Sequence, residues 1–577
     1  MRVPDIATVI VDRVSSRNII FVLLLLIVTL LSVPAWGPLA SPGYLTGHDY
    51  LPAIRLFEMD RCFQDGQFPC RWAPDLNLGY GNPLFNYYPP GPYYVGEPIH
   101  LLGVGFLDTI KVLFIIGFVL SGLFMFLLAR EFWGNLGGLV AAVFYVYAPY
   151  HALDVYVRNS LNEHCALAFF PAILWGIYKV IREGKAVYVL ALALFVFALL
   201  LSHNLMVMSF FPLAVVWASV LLLITGQWPR FIHLAVAGAG GFSLAAFFSV
   251  PALLEQDLTH VEALKSASVG YYFEHFVTTK QLFVDRFWGY GYSVGGDGDD
   301  MSFQIGWLHW GLTAVSILIA PFLWRRSRLA FLAVVVVFVF FWASVFLMHA
   351  RSDFLWQTFT FLQWQQFPWR LLSLAMLTSS FLAGAVVLLV NQRRYLAVLL
   401  SVALITAAIG LNQEFFRFGL RTSESDSEHF SGSAWAYQTQ PLIDYHPAYA
   451  ADLPSEPAPA TVQVIGGDAH ITDVRQGSAS LAFAAGSTSG ARFRTSVVDF
   501  PQWRVKVDGK SVPHDRSNNL AAISFDLPPG SHRVKLTLED TALRTLSNYL
   551  SLAAWAVFLI SASALAGRAA WHWARRC

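Results

Sequence analysis

Long apolar stretches separated by polar segments run through most of the chain. An α-helix needs about 20 apolar residues to cross the ~30 Å hydrocarbon layer of a membrane. By this measure the sequence predicts about twelve membrane-spanning helices, the third of them short for a span. They are expected at 18–36, 107–130, 136–149, 161–181, 186–202, 204–225, 231–250, 305–324, 329–348, 367–390, 395–411 and 546–566.

Between the eleventh and twelfth stretches the pattern changes to short runs in which apolar and polar positions alternate. Such runs lie at 503–507, 523–527 and 533–538, and Gly-containing turns separate them. Alternation over a few residues between such turns predicts antiparallel strands, and several short strands favour a β-sandwich. The expected fold class is mainly α: a polytopic membrane protein with a C-terminal β-sandwich inserted before its last membrane helix.

These patterns divide the chain into four parts. The Pro/Ala-rich run at 453–460 reads as the end of a linker. We expect a transmembrane module at 1–411 with a large first loop at 37–106, an irregular linker at 412–460, a β-sandwich at 461–545, and a last membrane helix with a basic tail at 546–577.

Composition agrees with a membrane protein, because 56% of the residues are hydrophobic and only 13% are charged. The 38 basic and 37 acidic residues give a net charge of +1, which offers no sign of a nucleic-acid partner. The chain also lacks a Gly-rich phosphate loop ending in Lys-Ser or Lys-Thr, so the sequence does not predict ATP hydrolysis.

Basic residues cluster in short linkers, and cytoplasmic loops are the ones that carry such an excess. All the clusters fall on one side of the membrane if both termini are cytoplasmic, which places the long polar segments on the extracytoplasmic face. No internal repeat suggests the paired halves of a transporter. The clusters are Arg2, Arg13 and Arg17; Lys179, Arg182 and Lys185; Arg325, Arg326 and Arg328; Arg393 and Arg394; and Arg568, Arg575 and Arg576.

Five polar motifs succeed one another along the chain. They are Gly47-His48-Asp49 with 79–90, Arg158 with Glu163, Ser202-His203-Asn204, Phe367-Pro368-Trp369-Arg370, and 500–509. With these motifs, nearly the whole chain resembles the bacterial YfhO-like membrane proteins, also called 6-pyruvoyl-tetrahydropterin synthase-related, although no soluble pterin-enzyme domain is visible in the sequence. The resemblance implies a GT-C-type glycosyltransferase fold in the bacterial inner (cytoplasmic) membrane, with an acidic residue in the first extracytoplasmic loop and a polyprenyl-phosphate sugar as donor.

Such a transfer needs a base for the acceptor hydroxyl, and Asp49 is the candidate. The structural alternative is that Asp49 caps a helix that begins near Leu51. His48 is a candidate to orient Asp49, bind a metal or contact the donor phosphate, or else an ordinary loop histidine. Glu163 is the best second catalytic carboxylate, although an acid in a first helical turn is also favoured by the helix dipole.

The leaving phosphate calls for cationic or hydrogen-bonding groups, and Arg158, Arg370 and His203 are the candidates for substrate binding. The alternatives are arginines that snorkel to the interface or pair with Asp154 and Asp353, and a histidine that is simply a satisfied polar group.

Aromatic residues of the first loop are candidates for stacking on sugar rings, and Tyr87 and Tyr88 are assigned to substrate binding. An interfacial aromatic belt is the alternative. No metal ligands are assigned, and use of a divalent cation (Mg or Mn) is left open. The acidic run at 295–300 lacks the spacing of a calcium loop, so a flexible acidic loop tip is expected there.

Two cysteines, Cys62 and Cys70, share the first outer loop. In an oxidising compartment they can form a disulfide, and reduced thiols packed in the fold are the alternative.

The expected function is a membrane glycosyltransferase that moves a sugar from a polyprenyl-phosphate-linked donor to an extracytoplasmic acceptor, which is a glycan, a lipid or a protein. A lipid-carrier flippase or transporter is one alternative, and a polysaccharide ligase or polymerase is another. The lipid bilayer is the remaining partner, and no nucleic acid is expected.

Overall fold

The structure, a computed structural model, describes residues 6–265, 271–294 and 298–574. Residues 295–297 of the acidic run lie outside the described residues, as do Arg2, Arg575 and Arg576 of the basic clusters.

Helices dominate the chain up to residue 412. The membrane module and its loops contain α1 (Ile6–Trp36), β1 (Tyr44–Thr46), α2 (Pro52–Gln64), α3 (Leu76–Gly79), α4 (Leu84–Tyr87), α5 (Gly91–Leu101), α6 (Phe106–Val146), α7 (Pro149–Ala152), α8 (Leu161–Glu183), α9 (Ala186–Ser202), α10 (Asn204–Thr225), α11 (Arg230–Leu244), α12 (Ala246–Leu254), α13 (Thr279–Phe283), α14 (Trp307–Arg326), α15 (Arg328–Met348), α16 (Asp353–Thr358), α17 (Leu372–Ala385) and α18 (Arg394–Asn412).

Beyond residue 412 the chain forms mainly strands and short helices, and one long helix ends it. These elements are β2 (Leu420–Thr422), α19 (Asp426–His429), α20 (Gly432–Gln438), β3 (Val462–Gly467), β4 (His470–Gln476), β5 (Ser480–Ser487), β6 (Ala491–Val498), β7 (Trp503–Val507), β8 (Lys510–Val512), β9 (Ala522–Leu527), β10 (Gly530–Leu538) and α21 (Ala542–Ala574).

Among the described residues, nine helices are long and apolar enough to cross a membrane, or ten if the bent pair α11 and α12 counts as one span. The predicted count of twelve is not confirmed. The stretches predicted at 107–130 and 136–149 both fall on α6, and α9 has only 17 residues.

The long helix α6 is interrupted at Gly134, where the chain turns back on itself. Gly134 has φ 72° and ψ −178°, a conformation open essentially only to glycine. Residues on the two sides of this turn pack together, since a Cβ at Gly138 would lie 3.0 Å from Phe126 Cδ2 and one at Gly122 would lie 3.1 Å from Val146 Cγ2. The two apolar stretches predicted at 107–130 and 136–149 therefore correspond to the two parts of α6, before and after the turn at Gly134.

The span predicted at 231–250 is broken, because α11 and α12 meet at an angle of 81°. A bend frees backbone groups that must be satisfied inside a membrane. Ser551 of α21 does this: its hydroxyl donates to the Ser243 carbonyl at 3.1 Å and accepts from the Phe247 amide at 2.8 Å. A residue about 300 positions away in the sequence therefore stabilises the bend, which the local pattern does not reveal.

The membrane module is built around α8 and α17, whose most apolar windows are 78% and 83% buried. Both are apolar on nearly all sides, as expected for helices enclosed by other helices. In contrast, the spans on α1, α18 and α21 are largely exposed, at 17%, 22% and 6% buried. The helices that carry the polar motifs at 158–163 and 367–370 are thus the central ones.

The C-terminal region forms two antiparallel sheets, one ordered β4-β5-β10-β7-β8 and the other β3-β6-β9. Residues alternate strictly between buried and half-buried along β5, as the period of a strand requires. Inward side chains of both sheets form one hydrophobic core, which Trp72 and Tyr87 of the first loop also enter. Three strands agree with the predicted runs, while the assignment of the region as a sandwich and the domain boundaries stay predictions.

The segment predicted as an irregular linker, 412–460, packs against the first loop. Strand β2 pairs antiparallel with β1, with Leu45 opposite Arg421. The Asp426 carboxylate accepts hydrogen bonds from the amides of Phe106 and Leu107, at 2.7 and 3.2 Å, and so caps α6. This segment therefore surrounds the first loop and its polar motif.

Candidate active site

The backbone of the first loop holds Asp49 against the segment that precedes α8. The Asp49 amide donates to the Arg158 carbonyl, and the Asn159 side-chain amide donates to the Asp49 carbonyl, both at 2.8 Å. A Cβ at Gly47 would lie 2.6 Å from Asn159 Cβ, so only glycine fits there. Asn159 has a left-handed φ of 54°, which is uncommon for a residue other than glycine. Close packing of two segments therefore fixes the position of Asp49.

The Asp49 carboxylate has two partners and stays open to solvent. Oδ1 accepts from the Leu51 amide at 3.0 Å, and Oδ2 accepts from Arg55 Nη1 at 2.9 Å. The Asp49 side chain is 26% exposed, whereas that of Arg55 is 6% exposed. The bond to Leu51 is a local turn interaction that occupies only one oxygen. Because each carboxylate oxygen accepts more than one hydrogen bond, Asp49 keeps capacity for a substrate hydroxyl.

Tyr88 lies beside this pair, and Tyr87 does not. Arg55 Nη1 donates to Tyr88 Oη at 2.8 Å, and the guanidinium carbon lies 3.8 Å from the Tyr88 ring centroid. Burial raises the pKa of Tyr88 to about 12, so its phenol keeps its proton at neutral pH. Tyr87 instead donates to the Glu255 carbonyl at 2.8 Å and packs into the core of the β sheets.

Glu163, in the first turn of α8, joins two guanidinium groups. Arg158 Nη1 lies 3.0 Å and Arg370 Nε 3.5 Å from Glu163 Oε2. Tyr150 donates a short hydrogen bond to the other oxygen, Oε1. Arg158 also donates to Asp154, which is the pairing that the sequence left open for it. Two arginines from distant parts of the chain therefore lie together, one of them in the segment that Asp49 contacts.

Aromatic rings hold both guanidinium groups in place. The Arg158 guanidinium lies 4.7 Å from a Trp369 ring centroid, and that of Arg370 lies 4.9 Å from the Phe367 centroid. Phe367 and Trp369 stack on one another at 4.9 Å. Among the described residues Arg370 pairs with Glu163, and no ion pair joins Arg370 to Asp353.

Asp154 lies next to this cluster and is fully buried. Burial, together with the charge of Glu163, raises the pKa of the Asp154 carboxyl well above its usual range. Two guanidinium groups, those of Arg158 and Arg370, therefore share this buried cluster with two carboxyl groups, those of Asp154 and Glu163.

The two candidate histidines take different positions. His203, at the junction of α9 and α10, has a buried Nδ1 without a hydrogen-bond partner among the described residues, and burial lowers its pKa to about 3. It lies within electrostatic range of Glu163 and Arg370. His48 Nε2 lies 3.1 Å from the Tyr290 carbonyl oxygen, and burial lowers the pKa of His48 as well. Both imidazoles are therefore neutral at pH 7, and the His48 ring points towards the loop at 290.

An apolar groove of about 510 Å³ opens next to the polar cluster and runs between α5, α6, α8, α9 and α21. Asn162, the neighbour of Glu163 in the sequence, contacts an edge of the groove: its side-chain amide donates to the Ser202 carbonyl at 2.9 Å and to the Pro89 carbonyl at 2.7 Å, and Ser202 lines the groove. The walls are otherwise almost entirely hydrophobic and include Phe68, Val95, Leu120, Phe169, Phe197 and Trp555.

The carboxylates of the site are poorly suited to a divalent cation. Asp49 and Glu163 are each already paired with arginine, and the described residues contain no group of three or more His, Cys, Asp or Glu side chains arranged to hold a metal.

Cys62 and Cys70 are buried free thiols; Cys62 Sγ donates to Gln67 Oε1 at 2.9 Å, and Cys70 Sγ donates to the Gln67 carbonyl at 3.7 Å. Their pairing as a disulfide stays a prediction.

Several residues of the site were not singled out from the sequence. Arg55 lies on the buried face of α2, where a long cationic side chain gives no distinctive signal. Tyr150 follows Pro149, which is the last residue of the span predicted at 136–149. Asp444 and Tyr437 belong to the segment read as a linker, and their role depends on a contact with the first loop that no local pattern shows.

The chain matches the model of a family described as the 6-pyruvoyl-tetrahydropterin synthase related domain, membrane protein, over residues 85–416. This match covers more than half of the chain and includes Glu163 and Arg370. The chain therefore belongs to this family of membrane proteins, which confirms the resemblance found in the sequence. A search of curated proteins finds no match.

Solved structures with a similar arrangement include the archaeal oligosaccharyltransferase AglB from Archaeoglobus fulgidus in complex with an inhibitory peptide and a dolichol-phosphate. The two chains are 14% identical, the alignment covers 68% of this chain and 55% of AglB, and the TM-score is 0.39. Another is ArnT from Cupriavidus metallidurans bound to undecaprenyl phosphate, with 15% identity, 68% and 64% coverage, and a TM-score of 0.38. The chain thus spans between half and two thirds of the structures it matches.

Proposed function

We propose that this protein is a membrane glycosyltransferase that moves a sugar from a polyprenyl-phosphate-linked donor to an extracytoplasmic acceptor. One observation carries the proposal: a partly exposed carboxylate, Asp49, is fixed by backbone bonds to the segment that carries Arg158, whose buried guanidinium group lies beside that of Arg370. A base and an anion-binding pair within one site match the two ends of a glycosyl phosphate substitution.

In the proposed reaction the acceptor hydroxyl oxygen forms a bond to the anomeric carbon of the donor sugar. Asp49 takes the hydroxyl proton, so the new bond forms without a charged oxonium product. The bond between the anomeric carbon and the phosphate oxygen breaks, and its electron pair stays on the phosphate. Arg158 and Arg370 stabilise the charge that grows there, while Glu163 keeps the two guanidinium groups together.

The apolar groove supports a lipid-linked donor. Each buried CH₂ group contributes about 0.8 kcal/mol, so a long isoprenoid chain binds well to a purely hydrophobic wall. Ser202 lines the groove, precedes His203 and accepts a hydrogen bond from Asn162, the neighbour of Glu163, so we place the phosphate end of such a lipid at this end of the groove.

The position of the site along the helices supports an extracytoplasmic location. Asp49 comes after α1, Glu163 begins α8, His203 precedes α10 and Arg370 precedes α17. The basic linkers lie at the other ends of α8 and α17, and such linkers are typically cytoplasmic. We therefore propose that both termini face the cytoplasm of a bacterium and that the site faces outward from its inner membrane.

The experiment uses purified membranes and a radiolabelled polyprenyl-phosphate sugar pool. Wild-type protein should transfer label to the envelope, and Ala198→Trp, which fills the groove, should reduce donor binding and transfer by about tenfold or more. Leu194→Trp is the matched control, because it lies one turn away on α9, is 37% exposed and does not line the groove.

If Ala198→Trp leaves donor-dependent transfer unchanged, the proposed role of the groove in binding the donor lipid is contradicted. Donor binding without transfer by the wild type, across several sugars, would instead favour a lipid-carrier transporter.

A further inference from the structure

Three tyrosines from three separate segments lie near Asp49: Tyr50, which follows it in the first loop, Tyr292 and Tyr437. Tyr50 and Tyr437 have ring centroids 4.1 Å apart, and Tyr292 stacks on His48 at 4.4 Å. Tyr292 is 62% and Tyr437 49% exposed. The phenol of Tyr50 interacts electrostatically with Asp49, Tyr292 and Tyr437, so the groups are close together. Tyr50, Tyr292 and Tyr437 are together called the tyrosine rim.

The segment that carries Tyr437 is anchored on the first loop rather than free. The Leu78 amide donates to the Thr439 carbonyl at 2.8 Å, and Asn77 Nδ2 lies 3.2 Å from His446 Nδ1. Asn77 and Leu78 both have left-handed φ angles, 54° and 55°, which cost energy for residues with side chains. The backbone is thus held in an unfavourable conformation at the contact that positions Tyr437.

A further carboxylate, Asp444, lies on the same anchored segment. It interacts electrostatically with Arg55, the partner of Asp49, and burial raises its pKa to about 6. Its neighbour Tyr445 packs edge-on against Tyr88 at 6.2 Å. The site therefore has a second carboxyl group, that of Asp444, near the guanidinium group that pairs with Asp49.

Exposed ring faces beside carboxylates are suited to one kind of ligand. A sugar ring presents a C–H face that packs on the electron-rich face of an aromatic ring, and an edge of hydroxyl groups that donate to carboxylates. An alkyl chain would make no use of Asp49 and Asp444, and an anionic group would be repelled by both. The groove has walls that are almost entirely hydrophobic and is suited to lipid instead.

We propose that the tyrosine rim and Asp444 form a carbohydrate-binding subsite for the acceptor, so that the acceptor is a glycan whose hydroxyl group is presented to Asp49. This inference rests on the proposed transferase activity, and it selects one acceptor class from glycan, lipid and protein. The acceptor loses one proton to Asp49 and gains the glycosyl group, and the lipid phosphate leaves with the electron pair of the broken bond.

The test measures transfer from the labelled polyprenyl-phosphate sugar pool to the water-soluble oligosaccharides that mild acid releases from the envelope. Tyr437→Ala and Tyr292→Ala should raise the half-saturating oligosaccharide concentration about threefold to tenfold without changing that of the donor. Tyr437→Phe, which keeps the ring, should stay near the wild-type value. Tyr271→Ala is the control, because Tyr271 is an exposed tyrosine in the neighbouring loop that contacts Tyr272 and Phe273.

Permethylation and mass spectrometry of the product identify the atom that received the sugar. Label on a sugar hydroxyl supports the subsite if both alanine variants also raise the half-saturating oligosaccharide concentration. Label attached only to protein or to a non-sugar lipid overturns it, and so do alanine variants that saturate like the wild type. An absence of transfer by the wild type overturns the proposed function itself, so the two failures are distinguishable.

Discussion

Charge pairing at Glu163 determines the geometry of the site at the scale of single residues. This buried carboxylate is the group that Arg158 and Arg370 share, and Tyr150 completes its hydrogen bonding. Removing one partner of a buried ion pair is strongly destabilising, because the remaining charges are left in a poorly solvated place.

Glu163→Gln should therefore destabilise the protein by about 3–5 kcal/mol, because the buried Arg370 guanidinium then loses its carboxylate partner and Arg158 keeps only Asp154. The thermal unfolding midpoint in detergent measures this. The double variant Glu163→Gln/Arg370→Met should recover part of the loss, since it removes one uncompensated charge. A double variant no more stable than Glu163→Gln would contradict the pairing.

The candidate site could be predicted from the sequence only in part, and the reason lies in individual residues. Asp49, Arg158, Glu163 and Arg370 are detectable because each belongs to one of the short sequence motifs that carry the family resemblance. Tyr437 and Asp444 are not detectable in this way, because they become part of the site only through contacts that span hundreds of residues.

Within the first loop, the packing of α2 against α5 depends on two carboxyl groups. Glu97 of α5 is fully buried and lies against Asp60 of α2. Burial, and next the charge of Asp60, raise the pKa of Glu97 from its ordinary value to about 7. The folded loop therefore binds a proton that the unfolded chain releases at a lower pH.

Stability should consequently fall as the pH rises from about 4.5 to about 7, by roughly 2–3 kcal/mol in total, because the folded state holds the Glu97 proton over that range and the unfolded state does not. Unfolding midpoints at several pH values measure the slope. Glu97→Gln should reduce it, since glutamine cannot ionise. A slope unchanged in Glu97→Gln would assign the effect to other groups.

Elements with a strong local pattern can be located from the sequence, whereas features that depend on distant contacts leave no local signal. Strand β7 matches its predicted run at 503–507, because alternation is a local property. The bend between α11 and α12 was missed, because it depends on Ser551 of α21. In the same way, the segment at 412–460 looks irregular in sequence and gains its structure from pairing with the first loop.

Across the whole molecule, ion pairs connect the first loop, the end of α12 and the start of α21. Arg544 of α21 donates to Glu255 at 2.7 Å, and Arg71 Nε lies 3.6 Å from Asp540. Arg544 also lies 4.9 Å from the Phe500 ring, next to the β sheets. The last membrane helix is therefore connected to the same loop that carries Asp49.

At this scale the account also predicts that transfer does not depend on a divalent cation. Arg55, Arg158 and Arg370 already supply the positive charge of the site, so EDTA should change the rate by no more than about twofold. The transfer assay with EDTA, and with added Mg²⁺ or Mn²⁺, measures this. Loss of transfer in EDTA that either ion restores would show that a metal is required.

The most direct test of the central claim compares two aspartates of the first loop in the transfer assay, at matched protein abundance. Asp49→Asn should lower the rate by about two to four orders of magnitude while donor binding is retained, because the amide cannot accept the hydroxyl proton. Asp75→Asn is the matched control, since Asp75 is also paired with an arginine, Arg61, and is similarly exposed, 22% against 26%. Near-normal transfer by Asp75→Asn with loss in Asp49→Asn is the result predicted, and equal transfer by Asp49→Asn and wild type would contradict the assignment of Asp49 as the base.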